Sequence, residues 1–217
     1  MADKAPFISF PEGYLGSRSA KFPLIADTDE YFAINKEAGL ACFQHDWTQG
    51  KPDFTAALRR ELIGGKPQLA RLGIEGVFRI FNLDAEVSGA TLYAKTEAAE
   101  EKIKNAFGSR QIRMFYHFLA TNESGERELA SDLPLARHFQ ERRMLVSHKT
   151  GKKCKTQFRF LRNFGQFELW EAETLDMRTH QIRLHAAELG LSIVGEEEYA
   201  KGEKILLSGI KRGYRPS

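Results

Sequence analysis

Leu175-Asp-Met-Arg-Thr-His-Gln-Ile-Arg-Leu-His-Ala-Ala-Glu-Leu-Gly190 is the stretch from which the rest of this 217-residue chain is best read. Ile182, Ala186 and Leu189 recur at helical spacing, which predicts a helix over Arg178 to Leu189 with Thr179 as N-cap and Gly190 just past its end. Polar side chains crowd its first turns. Arg178 precedes the cap, so its guanidinium adds to the positive end of the helix dipole, and a carboxylate brought close would be held ionised. His180 and His185 are five apart, not the i, i+4 pair by which one helix face offers two metal ligands. Ordinary hydrogen bonding, at the surface or in the core, is the plain reading of both.

Upstream, Thr156 to Leu161 and Phe167 to Thr174 read as a hairpin, preceded by a strand over Gln111 to Thr121. Thr96 to Phe107 reads as a helix capped by Thr96 and stopped by Gly108, with Ala99, Ile103, Ala106 and Phe107 as its apolar stripe. Val77 to Ile80 and Ala90 to Ala94 read as strands around a polar loop, Asn82 to Gly89. Asp53 to Leu62 reads as an amphipathic helix capped by Asp53, and Tyr31 to Asn35 as a short strand. Residues 1–27 hold three prolines and show neither period, so they read as an irregular arm, with one domain over 28–217. Strands outnumber helices without alternating strictly with them. The expected class is α+β, with a mixed, largely antiparallel central sheet flanked by helices.

Composition excludes several classes. Hydrophobic residues are 42% and charged residues 28%, an ordinary globular balance, and sixteen Phe point to aromatic packing in the core. No apolar run is long enough to cross a bilayer, and the first residues carry charges and prolines where a signal peptide needs apolar ones; a cytoplasmic protein with no membrane partner is expected. Cys42 and Cys154 are far apart and form no CxxC, against a disulfide framework or a zinc site; both read as buried thiols. Net charge is only +3, but no acidic residue falls between Glu141 and Glu168, a stretch holding Arg142, Arg143, Lys149, Lys152, Lys153, Lys155, Arg159 and Arg162. Such a run attracts a polyanion or forms a solvated face, and charge alone does not separate the two. Phe158 and Phe160, interleaved with it, read equally as contacts to such a polyanion or as core.

Asp84 stands in Arg79-Ile-Phe-Asn-Leu-Asp-Ala-Glu-Val-Ser-Gly89, where an apolar strand runs into a glycine-ended loop. Position alone leaves it either a turn-forming carboxylate or one presented to a cleft from a rigid element.

With these motifs placed, the chain resembles the RluA family of pseudouridine synthases from about Tyr31 to Pro216. The family pattern "vvNKPaGl" is matched by Ile34-Asn-Lys-Glu-Ala-Gly-Leu40, and "HRLDxxTSG…lfAkt" by Phe81-Asn-Leu-Asp-Ala-Glu-Val-Ser-Gly89 with Leu92-Tyr-Ala-Lys-Thr96. A lysine-tyrosine element is weakly matched by Met114-Phe-Tyr-His117, and "GKxAxTxfxvl" by Gly151 to Leu161. The stretch from Leu175 to Tyr199 matches "TGRTHQIRvHlaxxGhPivGDxxYg".

The resemblance implies an RNA uridine isomerase acting on ribosomal or transfer RNA, monomeric, with no cofactor and no metal. It implies Asp84 as nucleophile, Arg178 as its ion-pair partner and Tyr116 stacked on the uracil. With the charge pattern it implies RNA contacts by Lys36, Asn82, Lys149, Lys152, Lys153, Gln181 and Arg183. Phe81-Asn82 replace the family's His-Arg, associated with displacing the target base, while Glu37 replaces a proline and Val87 a threonine. Met177 replaces a glycine and Glu196 an aspartate. These departures leave a catalytically drifted RNA-binding protein as the alternative, and a metal-dependent hydrolase using His180 and His185 as a more distant one. No S4-type RNA-binding domain is expected in the arm.

Overall fold

A computed structural model describes residues 6–200; the end of the family resemblance, from 201 to Pro216, lies outside the described residues. The chain forms two compact units that divide between Ala106 and Phe107.

The first unit is built on strands β1 (Phe7–Phe10), β2 (Ala20–Asp27), β3 (Tyr31–Lys36), β4 (Phe78–Arg79) and β5 (Gly89–Ala94), in the order β1-β2-β3-β5-β4 and antiparallel throughout. Between β3 and β4 lie helices α1 (Phe54–Ile63) and α2 (Pro67–Ala70). Asp53 caps α1 as its sequence predicts, accepting a hydrogen bond from the Ala56 N–H, and Gly64 closes the helix. The segment read as an irregular arm is instead β1 and β2. Pro6 precedes β1 and Pro11 follows it. Pro23 sits opposite Phe7 at the end of the β1 pairing, next to a bulge between Leu24 and Ala26, positions where a missing N–H disturbs the ladder least. The strands are integral to the core: Phe10, Phe22 and Phe54 are all buried, with Phe10 and Phe22 edge-to-face at 5.6 Å and Phe22 and Phe54 at 4.8 Å.

Helix α3 (Glu97–Gly108) spans the division, and Thr96 Oγ1 accepts from the Ala99 N–H at its start. The second unit carries β6 (Met114–Asn122), β7 (Glu128–Ser131), β8 (Leu135–Arg137), β9 (Met144–Val146), β10 (Thr156–Phe164), β11 (Phe167–Thr174), α4 (Gln181–Glu188) and β12 (Leu191–Ile193). Five strands form a sheet in the order β12-β6-β11-β10-β7, again antiparallel, and β8 with β9 forms a separate ribbon. The class is α+β as expected, but in place of one partly mixed sheet there are two sheets in which every described strand pairing is antiparallel. One face of the second is covered by α4: Ile182, Ala186 and Leu189 pack with Tyr116, Ala120, Phe158, Trp170 and Ala172. Phe158 is therefore core, edge-to-face with Phe118 at 6.1 Å, and the half-buried Phe160 lies against Trp170. The helix begins later than predicted. Its N-cap is His180, in the left-handed region at φ 53°, not Thr179.

Candidate active site

In the first unit, β4 ends at Arg79 and the chain runs on irregularly to β5, so Asp84 lies beyond a strand rather than at its end. The backbone on both sides of it is nonetheless fixed. Leu83 is buried and its N–H points at Cys42 Sγ, 3.4 Å away. The carbonyl of buried Ala85 accepts from the Gly39 N–H at 2.7 Å and from Lys36 Nζ at 3.4 Å. Gly39 holds φ +89°, a conformation that a side chain would strain. The Val87 N–H returns to the Asp84 carbonyl at 3.1 Å, closing a turn that leaves the Asp84 side chain half-exposed. Glu86, its acidic neighbour, is exposed and lies 3.7 Å from Lys51.

Lys36 does not have the RNA-contacting role expected of it. Its side chain is 0% exposed, and Nζ also donates to the carbonyls of Glu37 and Leu40 at 3.0 and 2.8 Å. Burial lowers its pKa, and the nearby carboxyl groups of Glu86 and Asp84 oppose that shift. A buried ammonium pinned by carbonyls cannot reach a phosphate; it ties the strand to the Asp84 segment. Burial likewise pushes the Cys42 thiol up, which makes it an unreactive packing group. Asn82 is exposed beside Asp84, where a ligand contact is sterically open.

In the second unit the Arg178 segment is fixed from beneath. Gln181, also expected to contact RNA, is only 3% exposed. Its amide Nε2 donates to the Lys155 carbonyl, Thr156 Oγ1 and Thr174 Oγ1 at 3.2, 3.0 and 2.8 Å, and its Oε1 accepts from the Arg178 N–H at 3.2 Å. Every polar atom of its side chain is used within the protein, so it positions Arg178 instead of binding a ligand. Asp176, buried and unnoticed in the sequence, anchors the same segment. Its Oδ2 accepts from the Lys155 N–H at 2.8 Å and its Oδ1 pairs with Arg110 at 2.9 Å. The Arg178 side chain is exposed at the N-terminal end of α4. Tyr116, on β6 opposite Ala172, faces the side of the sheet that α4 covers.

His185 is 0% exposed, and its ring nitrogens are both used. The Leu133 carbonyl, 2.9 Å from Nε2, requires a proton there, so Nδ1 accepts from Thr156 Oγ1, also at 2.9 Å. Burial lowers its pKa, which keeps the imidazole neutral. The hydrolase alternative therefore loses one of its two histidines. Among the described residues no cluster of three or more His, Cys, Asp or Glu side chains is gathered for a metal.

Arg183, a further expected RNA contact, is committed elsewhere. Its Nε and Nη2 lie 2.6 and 2.8 Å from the two oxygens of buried Glu196, and its guanidinium sits over the Tyr199 ring. Burial works against the Glu196 charge, but the bonds and charge of Arg183, with the N–H groups of Glu198 and Tyr199, outweigh it and hold the carboxyl below its usual range. The glutamate that departs from the family pattern is thus a paired structural group. Of the basic stretch, Arg159 pairs with Glu171 and Arg143 with Glu141, while Lys149, Lys152, Lys153, Lys155 and Arg162 are exposed.

The fold is that of RNA-modifying synthase domains. It matches the solved structure titled human RNA pseudouridylate synthase domain containing 4 with a TM-score of 0.65 at 18% identity, over 84% of this chain and 70% of that one. The profile for RNA pseudouridylate synthases matches residues 30–188, and the chain belongs to that family, in its RluA branch. It is 30% identical to an uncharacterized RNA pseudouridine synthase of Synechocystis over 81% of this chain and 54% of that protein. It is also 30% identical to ribosomal large subunit pseudouridine synthase D of Xylella fastidiosa, over 88% of this chain and 57% of that protein. The chain spans about half the length of the curated relatives it matches.

Proposed function

We propose that the protein isomerises a uridine in RNA to pseudouridine, with Asp84 as the nucleophile. The observation that carries the reading is the fixed backbone around Asp84, held through Leu83 and Ala85 by Cys42, Gly39 and Lys36, at the position of the family's Leu-Asp motif. The reaction breaks the N1–C1′ bond, turns the base and joins C5 to C1′. A proton leaves C5 and N1 ends protonated. Nothing is oxidised and no external group is consumed, so the balance needs only a carboxylate, a proton acceptor and a site that excludes water.

On this reading Arg178 is the ion-pair partner of Asp84, holding it ionised and oriented, and Tyr116 stacks on the uracil. Extruding the target base costs a few kcal/mol, which stacking and base-edge contacts offset. Exposed Asn82, in place of the family's arginine, lies next to the extruded nucleotide. Lys149, Lys152 and Lys153 contact phosphates. The name of the Xylella relative supports ribosomal RNA over transfer RNA as the substrate. The protein is expected to act as a cytoplasmic monomer without a metal, and no described helix is long and apolar enough to cross a membrane. Mapping of pseudouridine in total RNA from cells with and without the gene tests the function: one missing site in the deletion strain is expected, and an unchanged map would overturn it.

A further inference from the structure

The β8–β9 ribbon belongs to none of the machinery described so far, and its tip is unusual. Phe139 is 87% exposed, so the face of its ring is open to a ligand. The loop that carries it is well built. The ladder continues through the His138 N–H to the Arg143 carbonyl at 2.9 Å. The His138 Nδ1 accepts from the N–H groups of Gln140 and Glu141 at 3.3 and 3.0 Å, and Arg143 pairs with Glu141 within the loop. The His138 ring is stacked on Phe139, 5.4 Å between centroids and 18° from parallel.

The base of the ribbon is equally tied. Ser147 donates to the Pro134 carbonyl, and Leu135 and Lys152 exchange backbone hydrogen bonds. Gly151 packs so closely on Ser147 and Pro134 that a Cβ would lie 2.3 Å from the Ser147 carbonyl oxygen. The ribbon is therefore a stiff support that presents a backed aromatic face, with exposed Arg137 and Arg142 flanking the tip and exposed Lys152 at the base. It also lies beside the Arg178 segment. The Met144 N–H, one residue from the tip loop, donates to the Tyr199 hydroxyl at 2.8 Å, and that hydroxyl is 2.7 Å from Nδ1 of His180. The hydroxyl thus bridges the ribbon to His180, the N-cap of α4, two residues from Arg178.

We propose that the β8–β9 ribbon is a base-stacking finger, in which Phe139, backed by His138, receives an unstacked nucleobase of single-stranded RNA flanking the target nucleotide. The proposal rests on the RNA reading above. One exposed ring within cationic surroundings fits a nucleobase on a phosphate chain, since stacking is available to every base and the cations meet its backbone. An apolar protein partner would call for a contiguous apolar patch, and the neighbours of Phe139 are His138, Gln140, Glu141 and Arg142.

The test uses the whole protein and a short single-stranded oligouridylate bearing one fluorescent purine analogue, beside a duplex RNA of equal charge. Phe139→Ala should weaken binding of the single strand by about tenfold, with an unchanged salt slope, and leave duplex binding as it was. Phe139→Trp should restore affinity. Equal single-strand affinity in wild type and Phe139→Ala, or equal loss on both RNAs, would overturn the finger. So would a Phe139→Ala protein whose only change is in sedimentation, since the ring would then dock a second copy. Uridine conversion is followed in the same samples to separate the two readings. A wild type that stacks the base but converts nothing removes the catalytic reading and keeps the finger; conversion that is indifferent to Phe139, with equal binding, removes the finger alone.

Discussion

Gln181 shares its two amide N–H groups among three acceptors inside the protein, and its Oε1 accepts from the Arg178 N–H and holds that backbone. Gln181→Ala would take the donor from buried Thr156 Oγ1 and the acceptor from the Arg178 N–H, while Thr174 Oγ1 keeps the Asp176 N–H, at about 1–3 kcal/mol for a group left unsatisfied. The expected result is a lower denaturation midpoint together with a fall in turnover larger than any change in RNA affinity; loss of RNA affinity with unchanged turnover and stability would restore Gln181 as a ligand contact. Lys36, Gln181 and Arg183 were all expected at the RNA because amides and cations are the side chains that read nucleic acid. Their type was legible, and the motifs that hold them were legible. What was not legible is that each is turned inward, because the partners that occupy them, such as Ala85 for Lys36 and Glu196 for Arg183, are brought up by the fold from other parts of the chain. Asp176 escaped notice for the same reason.

Among the elements, α1 and α3 were readable because their caps are local: Asp53 and Thr96 bond N–H groups three residues on. Strands β7, β8, β9 and β12 are short, three or four residues each, too short to show a period, and β7 and β12 pair with strands distant in sequence. Strands β1 and β2 were hidden by their prolines. Phe22→Ala tests whether they are integral: it should destabilise the first unit by about 3–5 kcal/mol, the cost of emptying a buried phenyl site. A loss under one kcal/mol by denaturant titration would return residues 6–27 to the status of an arm. Helix α4 is anchored by neutral His185, which gives a pH signature. Its folded pKa is lowered from the ordinary 6.5, so the unfolded chain binds the proton more readily. Stability is then fully present above about pH 6.5 and is lost as pH falls toward the folded value. Denaturation midpoints measured across that window should fall with acidification, and the slope should be smaller in His185→Gln; equal slopes would mean that this histidine does not titrate on unfolding.

On the scale of the whole molecule, composition carried little and charge order carried more. The net +3 conceals the run from Arg142 to Arg162, in which Lys149, Lys152, Lys153, Lys155 and Arg162 are exposed while Arg143 and Arg159 are paired. Reversing Lys152 and Lys153 to Glu should weaken RNA binding and flatten its dependence on salt, because fewer counterions are released; an unchanged slope would make the run a solvated face. The catalytic claim stands on Asp84, and conversion of uridine to pseudouridine in the mapped RNA target by the Asp84→Asn protein tests it most directly. Asn keeps the size of the side chain and removes the charge needed for attack or for stabilising a developing cation. Exposed Glu86 supplies the control through Glu86→Gln. The account predicts no conversion by Asp84→Asn, with RNA binding retained, and near-normal conversion by Glu86→Gln; conversion by Asp84→Asn at a rate close to wild type would contradict it.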